Sequence, residues 1–392
     1  MLFVPVKKLL LFIISTFSFA VLTAQHSGVL KGRTGGPLPF LEYGVGEDRL
    51  GGAKMNFLDS NVIVRVTDSF NNKYKVQLSK NHSAYLPKEN FIADSTIWIR
   101  SYYLTGSWKV FGDDEYDYVT VSLEDKLPYK SFQEISPSRI VVDIFGVASN
   151  TNWIAQLSTA KEIRNAYYQQ IEDDVFRVVI ELNHPQHWGY SIYYEGNKLV
   201  IRVKRQPSDL SFSNLKIAVD AGHGGDNEGE SGIKSGIIEK NYTLRIAKEL
   251  QDVLQNEGAT VFMTREKDTA LTMIERVMML RKEQPDLLVS IHLNSSGNEA
   301  DKGVSTYYRY IGFRPLSQFI LKRMLELNLE EYGNIGSFNF GLNGPTDYPN
   351  CLVEVAFLSN KADEIKIRDA GFRRAAAVKI AAGIKDWLQS LQ

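Results

Sequence analysis

The chain has 392 residues, of which 44% are hydrophobic and 23% charged, a composition that excludes a disordered polypeptide and supplies apolar material for two or three packed domains. Lys and Arg total 45 against 46 Asp and Glu, so the net charge is -1 and gives no general attraction to a nucleic-acid backbone. The single cysteine, Cys351, excludes an intrachain disulfide and a multi-cysteine zinc site.

The first 24 residues have the pattern of a cleavable export signal. Lys7 and Lys8 precede the uncharged apolar run LLLFIISTFSFAVL, and Ala24 stands before Gln25, where we expect the cut. The run is shorter than the roughly 20 residues that a membrane-spanning helix needs, so we predict no retained transmembrane helix. We therefore expect an exported chain that is located in the periplasm or cell envelope.

Residues 44–93 are predicted to form a small all-β domain. Short strands are expected at residues 61–66, 74–78 and 84–87, with a turn at residues 68–72. The region is similar to bacterial SH3-like domains over the stretch LGGAKMNFLDSNVIVRVTDSFNNKYKVQLSKNHSAYLPKENFI. This resemblance implies a small barrel, and it leaves open whether the domain binds the cell wall or has another role.

Residues 115–205 are predicted to form a second all-β domain, a β-sandwich. Apolar and polar residues alternate along its strands, and no periodic run of helical length interrupts them. The expected strands are residues 118–123, 139–144, 176–182, 190–194 and 198–203. Three of its segments, SRIVVDIFG, VFRVVIELN and KLVIRVK, resemble the AMIN domain, a targeting module that precedes cell-wall amidases.

Two histidines of the second domain have a spacing that metal ligands can have. His184 and His187 lie three residues apart, beside Trp188. No acidic or cysteine partner accompanies them at ligand spacing, which favours a surface or packing role over metal binding. We therefore place no metal site in this domain.

After a polar connector at residues 206–214, strands alternate with helices through residues 215–392. The first strand ends in the glycine-rich turn AGHGG, and the first helix has apolar residues at three- and four-residue steps. This alternation predicts a three-layer α/β domain with a mostly parallel sheet, in which ligands bind at the carboxyl ends of strands. The expected strands are residues 215–220, 259–264, 286–292 and 351–356, and the expected helices are residues 239–257, 271–282, 315–330 and 371–391.

Four polar residues stand at informative places in this pattern. His223 follows the first strand, His292 closes the third, and Glu239 opens the first helix. Glu354 interrupts the apolar strand CLVEVAF, where an ionised carboxylate needs a hydrogen bond, an ion pair or a nearby cation. Two imidazoles and a carboxylate are a common ligand set for catalytic zinc, although each histidine alone would more often have a packing or surface role.

Five ordered motifs of this region resemble the zinc-dependent N-acetylmuramoyl-L-alanine amidases, namely IAVDAGHGG, EKNYTLRIAKEL, TREKD, LLVSIHLN and CLVEVAFLSN. The resemblance covers residues 215–392. It implies that His223, Glu239 and His292 bind Zn2+ and that Glu354 is the catalytic carboxylate. It also implies hydrolysis of the peptidoglycan amide bond between N-acetylmuramic acid and L-alanine, by a water that zinc activates and Glu354 deprotonates.

Several positions depart from the family pattern or have a second interpretation. Asn227 stands where the family usually has an acid. Glu230 is a rival ligand to Glu239, which we favour because it opens the helix. Asn294, next to His292, is a candidate for orienting a ligand or the substrate. Three charged residues are either substrate contacts or, as we favour, members of structural ion pairs: Arg265, Asp268 and Arg276.

Two functions from other classes remain open. A non-catalytic peptidoglycan-binding envelope protein would leave the three ligand types and Glu354 unexplained, and a glycosidase would use a pair of carboxylates. Division or envelope proteins are expected partners of the N-terminal domains, and nucleic acid is not. The segment between His292 and Glu354 is only long enough for elements of the fold, so we predict a cleft that is open without an activator.

Overall fold

The computed structural model describes residues 30–46 and 50–392. The predicted export signal, residues 1–24, lies outside the described residues. Of the helices within these two ranges, none combines the length and the apolar composition needed to cross a membrane. The described chain comprises an all-β N-terminal part followed by an α/β C-terminal domain, as the sequence predicts.

Seven short strands form the first sheet, and we call residues 30–46 and 50–93 the N-terminal β unit. Its strands are β1 (Lys31–Thr34), β2 (Phe40–Glu42), β3 (Lys54–Phe57), β4 (Ile63–Phe70), β5 (Lys73–Gln77), β6 (Ser83–Pro87) and β7 (Phe91–Ala93). Neighbours are antiparallel in the order β3-β2-β6-β5-β4-β1-β7. β1 and β2 precede residue 44, where the sequence placed the start of this domain. The predicted domain limits and the SH3-like resemblance stay predictions.

The turn expected at residues 68–72 is tighter than predicted. β4 continues to Phe70, so only Asn71 and Asn72 connect it to β5. Asn71 adopts a φ of 45°, which asparagine tolerates better than most residues. A two-residue hairpin therefore replaces the longer turn, and residues 68–70 pair with β5.

The next ten strands form two facing sheets that together make the predicted sandwich. They are β8 (Tyr103–Gly112), β9 (Tyr116–Leu123), β10 (Tyr129–Ile135), β11 (Ser138–Phe145), β12 (Val147–Ala148), β13 (Ile154–Gln156), β14 (Ile163–Glu172), β15 (Val175–Leu182), β16 (Tyr190–Glu195) and β17 (Lys198–Lys204). One sheet has the order β10-β11-β15-β14, and the other has the order β12-β8-β9-β17-β16 with β13 beside β8. Alternate side chains of both sheets enter one core.

The N-terminal β unit and the sandwich share this hydrophobic core. Buried residues of the unit, such as Val62 and Val64, belong to the same apolar cluster as Ile144 of the sandwich. Polar groups of the two parts also form hydrogen bonds with each other at this junction. Asn56 Nδ2 donates to Ser131 Oγ at 3.0 Å, and Ser131 N donates to Asn56 Oδ1 at 2.9 Å. The two parts therefore pack as one body rather than as modules on a free linker.

The C-terminal domain is built on a six-stranded sheet with the order β19-β18-β20-β23-β21-β22. Its elements are β18 (Lys216–Ala221), α1 (Glu239–Asn256), β19 (Thr260–Met263), α2 (Met273–Glu283), β20 (Leu287–Asn294), β21 (Val304–Tyr307), α3 (Arg314–Met324), β22 (Glu331–Ile335), β23 (Asn350–Phe357), α4 (Lys361–Arg368) and α5 (Ala370–Gln389). The first four strands in the order are parallel, and β21 is antiparallel to β23. The mostly parallel sheet is thus confirmed.

Helices cover both faces of this sheet, which gives the three predicted layers. Apolar residues of α1, α3 and α5 share a core with Ile291 and Leu293 of β20. Leu288, whose side chain has the opposite orientation, joins Val277 and Leu280 of α2 in a separate cluster. His292 has the same parity as Leu288, so its side chain lies on the α2 face.

The predicted helix at residues 315–330 ends early. α3 ends at Met324 and is followed by a short 3-10 turn. Asn328 then adopts a φ of 54°, a left-handed conformation through which a right-handed helix cannot continue. The chain then enters β22, which the sequence did not predict. α3 packs on the α1 and α5 side of the sheet, away from the face that carries His292.

A stack of two tryptophans fixes the sandwich to the last helix. The rings of Trp188 and Trp387 are parallel within 8°, with centroids 5.2 Å apart. Trp387 Nε1 also donates to Gln186 Oε1 at 3.2 Å. Both rings are buried, so the stack combines apolar burial with a satisfied polar group.

We expect Trp387→Ala to lower the free energy of unfolding by about 3–5 kcal/mol, because it leaves a large cavity in the core. Trp98, which is 81% exposed, provides the matched control, and Trp98→Ala should change stability by less than about 0.5 kcal/mol. Urea unfolding followed by circular dichroism measures both values. Equal losses in the two variants would contradict the assigned role of the stack.

Candidate metal centre

The candidate residues meet where β18 and β20 end. These strands are parallel neighbours, with Ala221 of β18 in register with Ile291 of β20. His223 follows the end of β18 by two residues, and His292 lies near the end of β20. Glu239 is the first residue of α1. The sheet order therefore brings three residues that are distant in sequence to one edge of the domain.

The turn after β18 gives His223 an unusual backbone. Its φ is 63°, in the left-handed region, where histidine is more frequent than most non-glycine residues. Gly222 allows a close approach of the neighbouring strand, because a Cβ there would lie only 2.4 Å from the His292 ring. The turn thus places the two imidazoles near each other, with ring centroids 4.9 Å apart.

The carboxylate of Glu239 lies between the two imidazoles. His223 Nε2 is 3.0 Å from Glu239 Oε2, and His292 Nδ1 is 3.2 Å from Glu239 Oε1. One ligand atom from each of the three residues lies within 4.8 Å of the others. Two atoms that bind one tetrahedral zinc ion at its usual bond lengths are about 3.3 Å apart. The spacing and the donor set therefore fit a zinc ion.

The negative charge of Glu239 favours the binding of a cation by this cluster. Burial alone would raise the pKa of Glu239, but hydrogen bonds with His223 and His292 outweigh it and hold the pKa well below its usual range. Glu239 is only 2% exposed. For His223 the burial lowers the pKa, and the contact with Glu239 reverses the effect and raises it. The carboxylate thus stays ionised, which is the form that binds a metal.

Backbone amides hold Glu239 in place. Leu293 N donates to Oε1 at 3.0 Å, and Glu230 N donates to Oε2 at 2.9 Å. The loop before α1 folds back for this contact, since Glu239 N also donates to Glu230 O at 2.9 Å. Of the two carboxylates that the sequence offered, Glu239 lies in the cluster, and Glu230 contributes its backbone amide.

Asn227 orients the first imidazole. Its Oδ1 atom lies 2.9 Å from His223 Nδ1. An amide oxygen can only accept, so Nδ1 carries a proton, and Nε2 is the nitrogen left to bind a metal ion. This is the support that a metal-binding histidine needs behind its ligand atom. Asn227 thus orients His223 from a position where the family that the sequence resembles usually has an acid.

Glu354 lies beside the cluster on the neighbouring strand. It is in register with His292, so the two side chains are on the same face of the sheet. Ser305, which is in register with Glu354, donates to the Tyr307 hydroxyl at 3.2 Å, so this hydroxyl lies on the same face of the sheet as Glu354. Burial raises the pKa of Tyr307 to about 12, and the negative charge of Glu354 acts in the same direction. Asn294 Nδ2 donates to the same hydroxyl at 3.4 Å.

The charged residues around the turn make internal contacts. Arg276 Nη1 donates to Asp220 Oδ1 and Arg276 Nη2 donates to His223 O, both at 2.5 Å. Arg265 Nη2 donates to Gly222 O at 2.8 Å. Asp268 Oδ2 accepts from Lys240 Nζ at 3.0 Å. Asp268 and Arg276 thus lie in ion pairs, as we favoured, whereas Arg265 donates to backbone carbonyl oxygens instead.

Asp220 is the supporting residue that the sequence analysis missed. It is 1% exposed, and besides Arg276 it accepts hydrogen bonds from Thr264 Oγ1 at 2.7 Å and Ser290 Oγ at 2.5 Å. Burial would raise its pKa, but the Arg276 charge and these hydrogen bonds hold it below the usual range. The sequence feature that could have revealed this role is an aspartate near the end of an otherwise apolar strand.

The two histidines of the sandwich, His184 and His187, have different surroundings and different partners. His184 Nδ1 lies 2.5 Å from Glu162 Oε2 near the surface. His187 is 1% exposed, and its Nε2 donates to Glu134 O at 2.8 Å. His184 thus has an acidic partner that is distant in the sequence, and His187 has a backbone carbonyl as its partner, so the two imidazoles make separate contacts.

Comparison with known proteins identifies two regions of the chain. Residues 217–386 match the family described as N-acetylmuramoyl-L-alanine amidase, and residues 110–203 match the AMIN domain. The chain is 33% identical over 190 residues to the probable cell wall amidase LytH of Staphylococcus epidermidis, an alignment that covers 47% of this chain and 64% of that protein. For the LytH of Staphylococcus saprophyticus the identity is 30% over 188 residues, covering 48% and 63%. The chain thus spans less than two thirds of either relative.

Two solved structures are similar to part of this chain. The catalytic domain of CwlV, an N-acetylmuramoyl-L-alanine amidase from Bacillus (Paenibacillus) polymyxa var. colistinus, is 30% identical, with 45% of this chain and 99% of that chain covered and a TM-score of 0.43. An N-acetylmuramoyl-L-alanine amidase from Clostridium difficile 630 is 28% identical, with 45% and 98% covered and a TM-score of 0.44.

His187 should make stability depend on pH. Burial lowers its pKa to about 4 from 6.5. Between these two values the unfolded chain binds a proton that the folded chain does not, so stability falls as the pH drops from 6.5 to 4, by roughly 3 kcal/mol. His187→Gln should remove this contribution. Urea unfolding at several pH values measures the slope, and identical slopes for both proteins would contradict the assignment.

Proposed function

We propose that the chain hydrolyses the amide bond between N-acetylmuramic acid and the L-alanine of the peptidoglycan stem peptide, because residues 217–386 match the N-acetylmuramoyl-L-alanine amidase family. The observation that carries the proposal is the convergence of ligand atoms from His223, Glu239 and His292 beside a fourth polar residue, Glu354. Cell wall amidases among the relatives support the same substrate.

We propose that the resident metal is zinc and that these three side chains are its ligands. A bound zinc ion supplies a Lewis acid for the scissile carbonyl and lowers the pKa of a water molecule. Glu239 neutralises part of the charge of such an ion, and the two imidazoles provide the nitrogen ligands that zinc prefers. Asn227 keeps the His223 ring in the tautomer that leaves Nε2 available.

Glu354 is proposed as the group that moves the proton. It lies on the strand next to His292 and on the same face, so its carboxylate can take a proton from the attacking water. The same carboxyl group then gives the proton to the nitrogen of the departing L-alanine. One residue thus serves as base and as acid in the two halves of the reaction.

The N-terminal domains are proposed to hold the enzyme at its polymeric substrate. The AMIN match, residues 110–203, covers most of the sandwich, and wall binding by this part agrees with an exported enzyme of the cell envelope. Division or other envelope proteins are the proposed protein partners of these domains.

The products distinguish the proposed activity from its alternatives. An amidase releases peptides with a new L-alanine amino terminus, a glycosidase creates reducing ends, and a non-catalytic binding protein creates neither. Mass spectrometry of purified sacculi after incubation with the chain reports all three outcomes. Reducing ends without free stem peptides would refute the amidase proposal.

We expect the chain to bind one zinc ion and His223→Ala to weaken that binding by at least about 100-fold, because one of three ligands is lost. Competition with a chromophoric chelator measures the affinity. His184→Ala is the matched control, since His184 pairs with Glu162 in the sandwich, and it should bind zinc as the parent does. Equal affinities in the parent and His223→Ala would refute the ligand assignment.

Glu354→Gln should still bind zinc but release stem peptides at least about 100-fold more slowly, because the amide cannot accept the water's proton. Release of stem peptides from sacculi gives the rate, and chelator competition gives the metal content. The control is Glu330→Gln, which changes an exposed glutamate that pairs with Lys302. Turnover at the parent rate by zinc-loaded Glu354→Gln would exclude Glu354 as the proton carrier.

A further inference from the structure

The N-terminal β unit packs directly against the face of the sheet that carries His292. Leu38, between β1 and β2, is 4% exposed and belongs to the apolar cluster of that face, together with Leu288 and Leu342 of the C-terminal domain. Phe57 of β3 packs against the same cluster, as does Phe340. One apolar cluster thus connects the first domain of the chain to the surroundings of the metal centre.

Residues 338–340, which we call the aromatic segment, form a wall beside the centre. The rings of Phe340 and His292 are 5.3 Å apart at 81°. Phe338 is stacked with Phe340 at 6.2 Å, and the ring of Tyr307 lies 4.4 Å from Phe338. A row of aromatic rings therefore runs from His292 to Tyr307, whose hydroxyl accepts a hydrogen bond from Ser305, the residue in register with Glu354.

Asn339, between the two phenylalanines, binds the N-terminal β unit. Its Nδ2 donates to Gly52 O at 2.8 Å and to Leu50 O at 3.2 Å. Its Oδ1 accepts from Lys54 N at 3.0 Å. Arg309 strengthens the junction by donating to Lys54 O. Both ends of one amide side chain are thus used to attach the aromatic segment to residues 50–54.

We propose that Asn339 is a positioning residue, through which the N-terminal β unit holds Phe338 and Phe340 as the wall that places substrate at the metal centre. This inference rests on the proposed amidase function for the identity of the substrate, a muramoyl peptide. The three ligand residues and Glu354 stand on other elements, so loss of the Asn339 contacts affects substrate placement and leaves metal binding intact. The N-terminal β unit is then part of the catalytic architecture.

The test compares Asn339→Ala with the parent in the full chain. Hydrogen exchange should be at least about tenfold faster in residues 338–344 and unchanged in residues 216–224, because only the first segment loses its attachment. KM for soluble peptidoglycan fragments should rise by about fivefold or more while kcat changes by less than about twofold, the sign of poorer placement without altered chemistry. Zinc affinity, measured with a chelator, should equal that of the parent.

Three further variants make the result specific. Asn339→Asp retains the acceptor for Lys54 N but turns an oxygen toward the carbonyl oxygens of Leu50 and Gly52, and acceptors repel one another, so its effects should be at least as large as those of Asn339→Ala. Asn339→Ser removes the same two donor contacts with a smaller change in polarity, and it replaces the alanine variant if that chain does not fold. Asn334→Ala is the matched control, because its side chain donates to Thr306 and Ser317 within the C-terminal domain. It should leave exchange at residues 338–344 and KM as in the parent.

Three results would overturn the inference: unchanged exchange at residues 338–344, faster exchange with an unchanged KM, or a loss of zinc affinity in Asn339→Ala. Failure of the proposed function gives a different result. If the parent releases no stem peptide, the amidase proposal is wrong, and the dissociation constants of the same fragments for parent and variant then replace KM in judging the role of Asn339.

Discussion

The centre of the C-terminal domain depends on a buried carboxylate held between two imidazoles. Glu239 is almost inaccessible to water, so its charge persists only because His223, His292 and two backbone amides surround it. These donors come from a glycine-rich turn, a central strand and a loop that folds back on α1. The order of the strands, the left-handed backbone at His223 and the start of α1 must therefore all be correct before this one contact can form.

A second buried carboxylate, that of Asp220, stabilises the turn that carries His223. Asp220 is the second-last residue of β18, and its charge is matched by Arg276, whose other nitrogen donates to the carbonyl oxygen of His223. Removal of either partner would leave an uncompensated charge in the interior. The ion pair and the histidine turn thus require each other, and a rigid polar network supports the geometry of the ligand atoms.

Local patterns predicted the α/β alternation, the mostly parallel sheet and the strand ends at which His223 and His292 stand, because periodicity and strand-end position are properties of short segments. Contacts between distant segments were not predictable in this way. Asp220 and Arg276 are far apart in the sequence, and so are Asn339 and Lys54. The early end of α3 depends on the single left-handed residue Asn328. The short strands β1 and β2 have too few residues to show a period.

The packing of Leu38 and Phe57 of the N-terminal β unit against the apolar cluster of the C-terminal domain limits how such a protein can evolve. A lineage that exchanged its leading segment for another would uncover an apolar surface and would have to acquire new side chains to cover it. Recombination at domain borders, the usual route to new architectures, is therefore disfavoured here. Descendants of this chain should inherit its first and last segments together.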